Sequence, residues 1–517
     1  MDRFPFREDE AVYGLWAIHF LQEDRFFLTL WPDKPPLFIW LLSTTFALLG
    51  ISEWSARWLN LMLSTLLIPV IAGTARRAWG NTAAIFAAIT VAFNPYAISF
   101  AATVYTDPQL LLTGALSLFM AVLGRPLYSG LWLGAAIMTK QQGILYLPLI
   151  LGTLWFSQRG RYSASTHPEQ LREGSKNWLK VTAGTLVIIL PILYWDSLRW
   201  AVAPSPWDLS IRNYESLTLL PPTAWWSRLQ EWGRWLSYLV GLEADSQWIA
   251  DMMDPASWVG SILSIGLVVA IWQRRRKHSI PISADLLSSL PSLLLLWSVG
   301  FLFLHVMTSV EIWDRYLLPL VLPFALGVGW AGGSITSYLS LPNRLIWIGQ
   351  SFILRMLILC WFLLLLPPAA QAARGQIPIG GDHGAFSGLH QALAWLEAEN
   401  QGEPYVLYHQ QLGAQFRFYL YEPVAHGQVD LRWYPHPVYL VNNSRKIPNQ
   451  RKFLLQPEWA SPRSLALHAQ VGQVDLHELA NLGRFQVIEL VPHYPESCDW
   501  CLCRLPIEWP TGWSRLK

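Results

Sequence analysis

The sequence predicts an all-α polytopic membrane bundle followed by a C-terminal extracytoplasmic α/β domain. Three observations lead there. The chain is 53% hydrophobic and only 14% charged over 517 residues, with a mean hydropathy of +0.28, where a soluble domain carries about a quarter charged residues. The shortage is uneven: residues 58–370 hold one apolar run after another, while residues 374–517 have an ordinary soluble composition. The 30 Trp residues gather at the ends of apolar runs, as expected of rings held at the headgroup level. A net charge of +2 is too small to suggest a nucleic-acid partner.

About ten candidate spans follow in order: 58–75, 81–101, 108–124, 126–140, 142–157, 181–198, 256–273, 286–307, 313–333 and 345–367. Several fall short of ~20 residues. Arg76-Arg77, Arg125, the 158–180 loop with Arg159, Arg161, Arg172, Lys176 and Lys180, the Arg274–Lys277 run and Arg344 are the basic clusters. Threading the spans puts all of them on one side, the cytoplasmic one by the bias of Lys and Arg. The loops 1–57, 102–107, 199–255 and 308–312 and the C-terminal domain then face outward, in a plasma membrane. Residues 36–50 are apolar but only ~15 residues long, a length that suits an interfacial helix. As a span they would swap the sides of the basic clusters. The chain opens inside an outward loop with no signal peptide, so one further span upstream is expected.

The expected organisation is an outer loop with interfacial helices and catalytic motifs (1–57), a transmembrane domain (58–370) and a soluble domain (374–517). In the loop 199–255, Trp225, Leu229, Trp232, Leu236 and Leu239 recur at spacings of three and four, opposite Arg228, Glu231 and Arg234. That pattern fits an amphipathic helix in the interface or, equally, one packed on neighbouring loops. In the soluble domain, HGAFSGLHQALAWLEAE and QLGAQFRFYLY read as helices, and PYVLYH, PVYLVNN and GRFQVIELV as strands. Asn442-Asn443-Ser444 matches a glycosylation sequon, a tripeptide common by chance. Of four cysteines, Cys360 reads as a small hydrophobe in an apolar run. Cys498, Cys501 and Cys503 lack a nearby His to complete a zinc spacing, which favours a disulfide or a spare thiol.

Charges at the edge of an apolar chain are costly unless used. The segment REDEAVYGLWAIHFLQEDRFFLTLWPDKPPLFIWLL gathers Asp9, Glu10, Asp33 and Lys34. The same face receives Asp107 from TVYTDPQ, Lys140 from the end of GLWLGAAIMTK, Asp196 from ILPILYWDS, and Glu311, Asp314, Arg315 and Tyr316 from EIWDRYLLPLVLP. Any one of these is more often a solvated cap or a snorkelling anchor. Their joint occurrence on one side points to chemistry, with carboxylates to take a proton or hold a metal and cations to neutralise a phosphate.

DEAVY (9–13), DKPPL (33–37), SARWLNLMLSTLLIPV (55–70), TDPQL (106–110), GLWLGAAIMTKQQG (130–143) and DRYLLPLVLP (314–323) occur in the order seen in polytopic C-superfamily glycosyltransferases. Over residues 8–335 the chain resembles the lipid A aminoarabinose transferases and the bacterial relatives of protein O-mannosyltransferases (the dolichyl-phosphate-mannose-protein mannosyltransferase-like family). The resemblance implies an enzyme that transfers a sugar from a polyprenyl-phosphate donor to a hydroxyl of a lipid, protein or glycan acceptor. It implies Asp9 as the catalytic aspartate with Glu10 beside it, Lys34, Lys140, Arg315 and Tyr316 near the donor phosphate, and Asp33 and Asp107 as acidic positions that could take a divalent metal. No other cofactor is implied. Two departures, Ala11-Val12 before Tyr13 and Asp33 in place of Glu, leave the sugar and the metal open. Asp9 as general base would give inversion, by analogy with inverting glycosidases. The rival expectations are a lipid or polysaccharide transporter, which would show charges in mid-span and an inverted repeat, and a non-catalytic binder of lipid-linked sugar.

Overall fold

The computed structural model describes residues 4–161, 167–214, 218–240, 285–339, 347–377, 379–380, 384–447, 449–460 and 465–493. The chain divides into two compact units, residues 1–384 and 385–517.

The first unit is helical. Helix α1 (Glu8–Gln22) opens with Glu8, Asp9 and Glu10 in its first turn, where carboxylates meet the positive end of the helix dipole. α2 (Leu37–Leu49) follows Pro35-Pro36 and ends at Gly50, which has φ 81°. Its 13 residues span only ~20 Å at 1.5 Å per residue, short of a ~30 Å hydrocarbon core. α3 (Glu53–Trp79) begins on a reciprocal Ser52/Ser55 cap. α4 (Asn81–Ala92) and α5 (Pro95–Ala101) form a pair bent by 52°. Asn94 caps α5 by accepting from the Ala97 N–H, and Pro95 sits in its first turn.

α6 (Asp107–Val122) and α7 (Pro126–Thr139) form an antiparallel hairpin. Ser117 and Ser129 each donate to the other's carbonyl at 2.8 Å, and Gln109 bonds Thr139 at 2.9 Å. This pairing brings the start of α6 and the end of α7 together, which places Asp107 beside Lys140. A 3-10 turn at Gln141–Tyr146 leads into α8 (Leu147–Arg161), followed by α9 (His167–Ser197). The backbones of α7 and α9 touch at glycines: a Cβ on Gly130 would lie 2.1 Å from the Val181 carbonyl, and one on Gly184 would lie 2.2 Å from that of Leu127. Gly130 and Gly134 make the small-xxx-small spacing that lets helices approach in lipid. α10 (Pro206–Tyr214), α11 (Pro222–Leu236), α12 (Asp285–Met307), a 3-10 turn at Asp314–Leu320, α13 (Val321–Leu339) and α14 (Trp347–Ala373) complete the unit.

Among the described residues five helices are long and apolar enough to cross a membrane, at Glu53–Trp79, Gly174–Ser197, Ser289–Met307, Asp314–Ile335 and Phe352–Ala373, or six if the bent pair counts as one. The protein is thus a multi-pass membrane protein, but the expected ten spans are not reached among the described residues. α6, α7 and α8 have 16, 14 and 15 residues, or roughly 21–24 Å each. The 256–273 run and the Arg274–Lys277 cluster lie outside the described residues. The Trp-rich segment is helical, and two of its Trp residues pack on α12 rather than on loops. Trp225 meets Phe303 edge-on, and buried Trp232 meets His305 edge-on and donates to its carbonyl at 3.1 Å.

The second unit is α/β. A five-stranded sheet runs in the order β2-β1-β3-β5-β4, with β1 Tyr405–His409, β2 Val429–Trp433, β3 Arg451–Pro457, β4 Val474–Leu482 and β5 Phe485–Pro492. β1 is parallel to β2 and β3; β5 is antiparallel to β3 and β4. One face packs α15 (Leu389–Asn400) and α16 (Gly413–Tyr419) through Leu389, Leu396, Phe416, Leu407, Phe453 and Val487. α17 (Tyr421–Ala425) leads to β2. The other face packs α18 (Pro437–Arg445) and α19 (Leu465–Val471) through Leu440, Val441, Leu454, Ala469 and Ile488.

PVYLVNN, expected as a strand, is instead the body of α18. Pro437 stands at the first helical position, His436 caps the Val438 N–H, and Leu440 and Val441 face the sheet. Local start signals here outweigh the β propensity of Val, Tyr and Val. β2, β3 and β4 were not foreseen. Cys360 is a free thiol in α14; Cys498, Cys501 and Cys503 lie outside the described residues.

Candidate active site

Each acidic residue of the first unit's candidate site stands against a cation or a backbone N–H. Arg315 Nη2 donates to Asp9 Oδ2 at 2.5 Å across 306 residues of sequence. Lys140 Nζ donates to Asp107 Oδ1 at 2.6 Å. Lys34 Nζ donates to Asp33 Oδ2 at 2.9 Å. Asp33, Lys34, Asp107, Lys140 and Arg315 are buried, so these are ion pairs at low dielectric, where loss of one partner is expensive. Asp9 is the exception: its side chain is 39% exposed, and among the described residues no donor bonds its Oδ1.

Aromatic rings surround the cations. Lys140 Nζ lies 4.0 Å from the centre of the Tyr316 ring. The Arg315 guanidinium lies 4.9 Å from the Tyr105 ring, 4.9 Å from Trp313 and 5.6 Å from Tyr316. Such ring faces favour a cation that has given up water. The Tyr316 phenol lies within electrostatic reach of Arg315, Asp107, Asp9 and Asp33, and Lys140 within reach of Asp107, Arg315 and Lys34. The three pairs therefore form one cluster. Burial, with the Glu10 carboxylate adding to it, pushes the Tyr105 phenol well above its ordinary range.

Glu10 differs from its neighbour. It is fully buried; one oxygen accepts from the Arg7 N–H at 3.0 Å, the other from the Val104 N–H at 2.9 Å. It thus ties the start of α1 to the loop 102–106. Asn60 fastens the same loop by donating to the carbonyls of Thr103 at 2.8 Å and Tyr105 at 2.7 Å. Asp314 is buried behind Arg315 and accepts from the N–H groups of Arg315 and Gly380, each at 2.7 Å.

Asp196 and Glu311 stand apart from the cluster. Asp196 holds Arg199 at 3.0 Å, Trp200 at 3.0 Å and Ser205 at 2.7 Å, closing the end of α9. Glu311 accepts from the Trp313 indole at 2.9 Å. Sequence reasoning missed Tyr105 and Trp313. Both adjoin motifs it did find, but Tyr105 meets Arg315 only through tertiary packing, and Trp313, two residues from Arg315, has no recognisable spacing of its own.

Asp33 and Asp107, the acidic positions that could take a divalent metal, are each paired with a lysine. No group of three or more His, Cys, Asp or Glu that could hold an ion occurs among the described residues, and each carboxylate already faces a cation. No step is derived through a metal.

Residues 33–195 match the family model described as dolichyl-phosphate-mannose-protein mannosyltransferase. No curated protein matches the chain. Among solved structures the chain is similar to ArnT from Cupriavidus metallidurans bound to undecaprenyl phosphate, and equally to its apo state, with TM-score 0.59, 16% identity and 94% of each chain covered. It is also similar to the oligosaccharyltransferase AglB from Archaeoglobus fulgidus in complex with an inhibitory peptide and a dolichol-phosphate, with TM-score 0.51, 11% identity, 94% of this chain and 70% of that one. At these identities the likeness to the solved structures is one of fold. The resemblance to polytopic C-superfamily glycosyltransferases, read from six short motifs, is borne out over residues 33–195 by the family match.

Proposed function

We propose that the protein transfers a sugar from a polyprenyl-phosphate donor to a hydroxyl acceptor at the outer face of the plasma membrane, in one inverting step. The soluble unit then lies outside the membrane. The observation that carries this reading is the contrast between Asp9 and the buried pairs around it. Asp9 is held by Arg315 through one oxygen and exposes the other. An acceptor hydroxyl is a weak nucleophile until a base takes its proton, and Asp9 Oδ1 is free for that task. Glu10, with both oxygens engaged, positions α1.

As the acceptor oxygen attacks the anomeric carbon, its proton passes to Asp9. The bond from that carbon to the phosphate oxygen breaks, and its electron pair stays on the polyprenyl phosphate. The growing negative charge meets Lys34, Lys140 and Arg315, cations fixed in place before the reaction, with Tyr316 beside them. Asp33 and Asp107 hold the two lysines in position. The fold shared with ArnT bound to undecaprenyl phosphate and the family match support a lipid-linked donor.

The test is to incubate the purified full-length protein with a panel of polyprenyl-phosphate sugars and hydroxyl acceptors. Release of polyprenyl phosphate with inverted configuration in the product is expected, and Arg315→Ala should raise the KM for donor more than for acceptor. Absence of transfer from every donor, or retention of configuration, would overturn the reading.

A further inference from the structure

Three consecutive residues, Lys140, Gln141 and Gln142, reach three different parts of the site. Lys140 pairs with Asp107 at the start of α6. Gln141 Nε2 donates to the Asp33 carbonyl at 3.0 Å, grasping the DKPP loop by its backbone. Gln142 Nε2 donates to the Tyr316 carbonyl at 3.0 Å and lies 2.9 Å from His305 Nε2.

The proton on His305 can be assigned. Its Nδ1 lies 2.8 Å from the Phe301 carbonyl, which can only accept, so Nδ1 carries the hydrogen and Nε2 accepts from Gln142. The amide orientation follows, because turning Gln142 over would set its oxygen against the Tyr316 carbonyl. Gln142 Oε1 is left buried without a partner, a cost that a residue chosen for packing alone would avoid. His305 is itself fixed from outside, its carbonyl accepting from Trp232 at 3.1 Å and Arg228 at 3.4 Å.

The turn that presents these side chains is tight. The Gly143 N–H donates to the Lys140 carbonyl at 2.9 Å, and a Cβ on Gly143 would fall 2.4 Å from the carbonyl of Ala136. The end of α7 therefore dictates where Gln141 and Gln142 point.

We propose that Gln141 and Gln142 are positioning residues that set the spacing of Lys34, Lys140 and Tyr316 around the donor phosphate. Gln141 does so through the DKPP backbone, and Gln142 through the backbone of the Asp314–Leu320 turn. Lys140, which precedes them in the chain, joins α6 to the same hub. The proposal rests on the phosphate-binding role given above to Lys34, Lys140 and Tyr316.

Gln141→Met and Gln142→Met keep the side-chain length and remove the donor group. Two quantities are measured on the full chain in detergent: affinity for undecaprenyl phosphate by tryptophan fluorescence, and donor KM and kcat with whichever polyprenyl-phosphate sugar the wild type uses. Each variant should lose about three- to tenfold in affinity, the worth of one or two neutral hydrogen bonds. Donor KM should rise by the same factor and kcat change less. A merely structural role would lower the melting temperature and leave the affinity of the folded protein unchanged. Should Gln142→Met fail to fold, the shorter amide of Gln142→Asn makes the same test. Affinities within twofold of wild type for folded variants at both positions would overturn the proposal. A wild type that binds undecaprenyl phosphate but transfers no sugar would overturn the functional reading, while the affinities still decide the positioning role. A wild type that does not bind it at all would overturn both.

Discussion

The two units of this chain treat charge in opposite ways. Among the described residues of the first unit, Glu10, Asp33, Lys34, Arg57, Asp107, Lys140, Asp196, Arg199, Asp314 and Arg315 are all buried; among those of the second unit Lys452 is the one buried Asp, Glu, Lys or Arg. The sheet domain follows the usual rule, with an apolar core on both faces and its ion pairs outside, such as Arg451 with Glu399 at 3.1 Å and with Glu489 at 2.8 Å. The helical unit breaks that rule where desolvation is most costly. Three of its pairs, Asp9–Arg315, Lys140–Asp107 and Lys34–Asp33, make one charge cluster. Such concentration suits a site that must neutralise a phosphate away from water.

The sharpest way to break this comparison is to remove one half of a buried pair. Lys140→Met leaves the Asp107 carboxylate buried without its cation and should destabilise the helical unit by about 3–5 kcal/mol, seen as a lower thermal midpoint in detergent. Adding Asp107→Leu should restore most of that stability but no sugar transfer. If the double variant regained activity, the pair would be an ornament of the fold.

The second unit offers a titration of comparable kind. His409, at the end of β1, is buried, and burial, with Arg417 adding to it, holds its imidazole down at about 4 against an ordinary value of about 6.5. A depressed folded value means that the stability from keeping His409 neutral is complete above pH 6.5. It is lost as the pH falls from there towards 4, by about 3 kcal/mol in all. Amide exchange in β1 and β3, corrected for intrinsic rates, should therefore speed up between pH 7 and 5, and His409→Phe should flatten that dependence. The smallest effect belongs to the surface. Arg451→Ala should cost no more than about 1 kcal/mol despite its two partners, measured by the same exchange. A loss as large as that of Lys140→Met would erase the distinction between the units.

Much of the helical unit could be read from the sequence, because an ionisable residue stands out in an apolar chain. Asp33, Lys34, Asp107, Lys140 and Arg315 were found that way, and all five are buried in the one cluster. Their pairing could not be read, since Asp9 and Arg315 meet only through tertiary packing. Glu10 and Asp9 look alike in the sequence, yet the capping N–H of Arg7 and the N–H of Val104 separate their surroundings. The count of about ten spans is not reached among the described residues, because an apolar run signals burial or lipid but does not say whether the helix is long enough. In the sheet domain β1 and β5 were legible. RKFLLQP was not, being a short continuous run that periodicity cannot classify, and Pro437 turned an apparent strand into a helix.

The central claim, that Asp9 is the base and its pair with Arg315 serves the chemistry, is tested most directly by Asp9→Asn. The variant keeps the side-chain shape at a half-exposed position, so the melting temperature should hardly move. Sugar transfer from a polyprenyl-phosphate donor should fall by roughly 10²–10⁴, with undecaprenyl phosphate binding retained. Transfer at the wild-type rate by the folded variant would contradict the account.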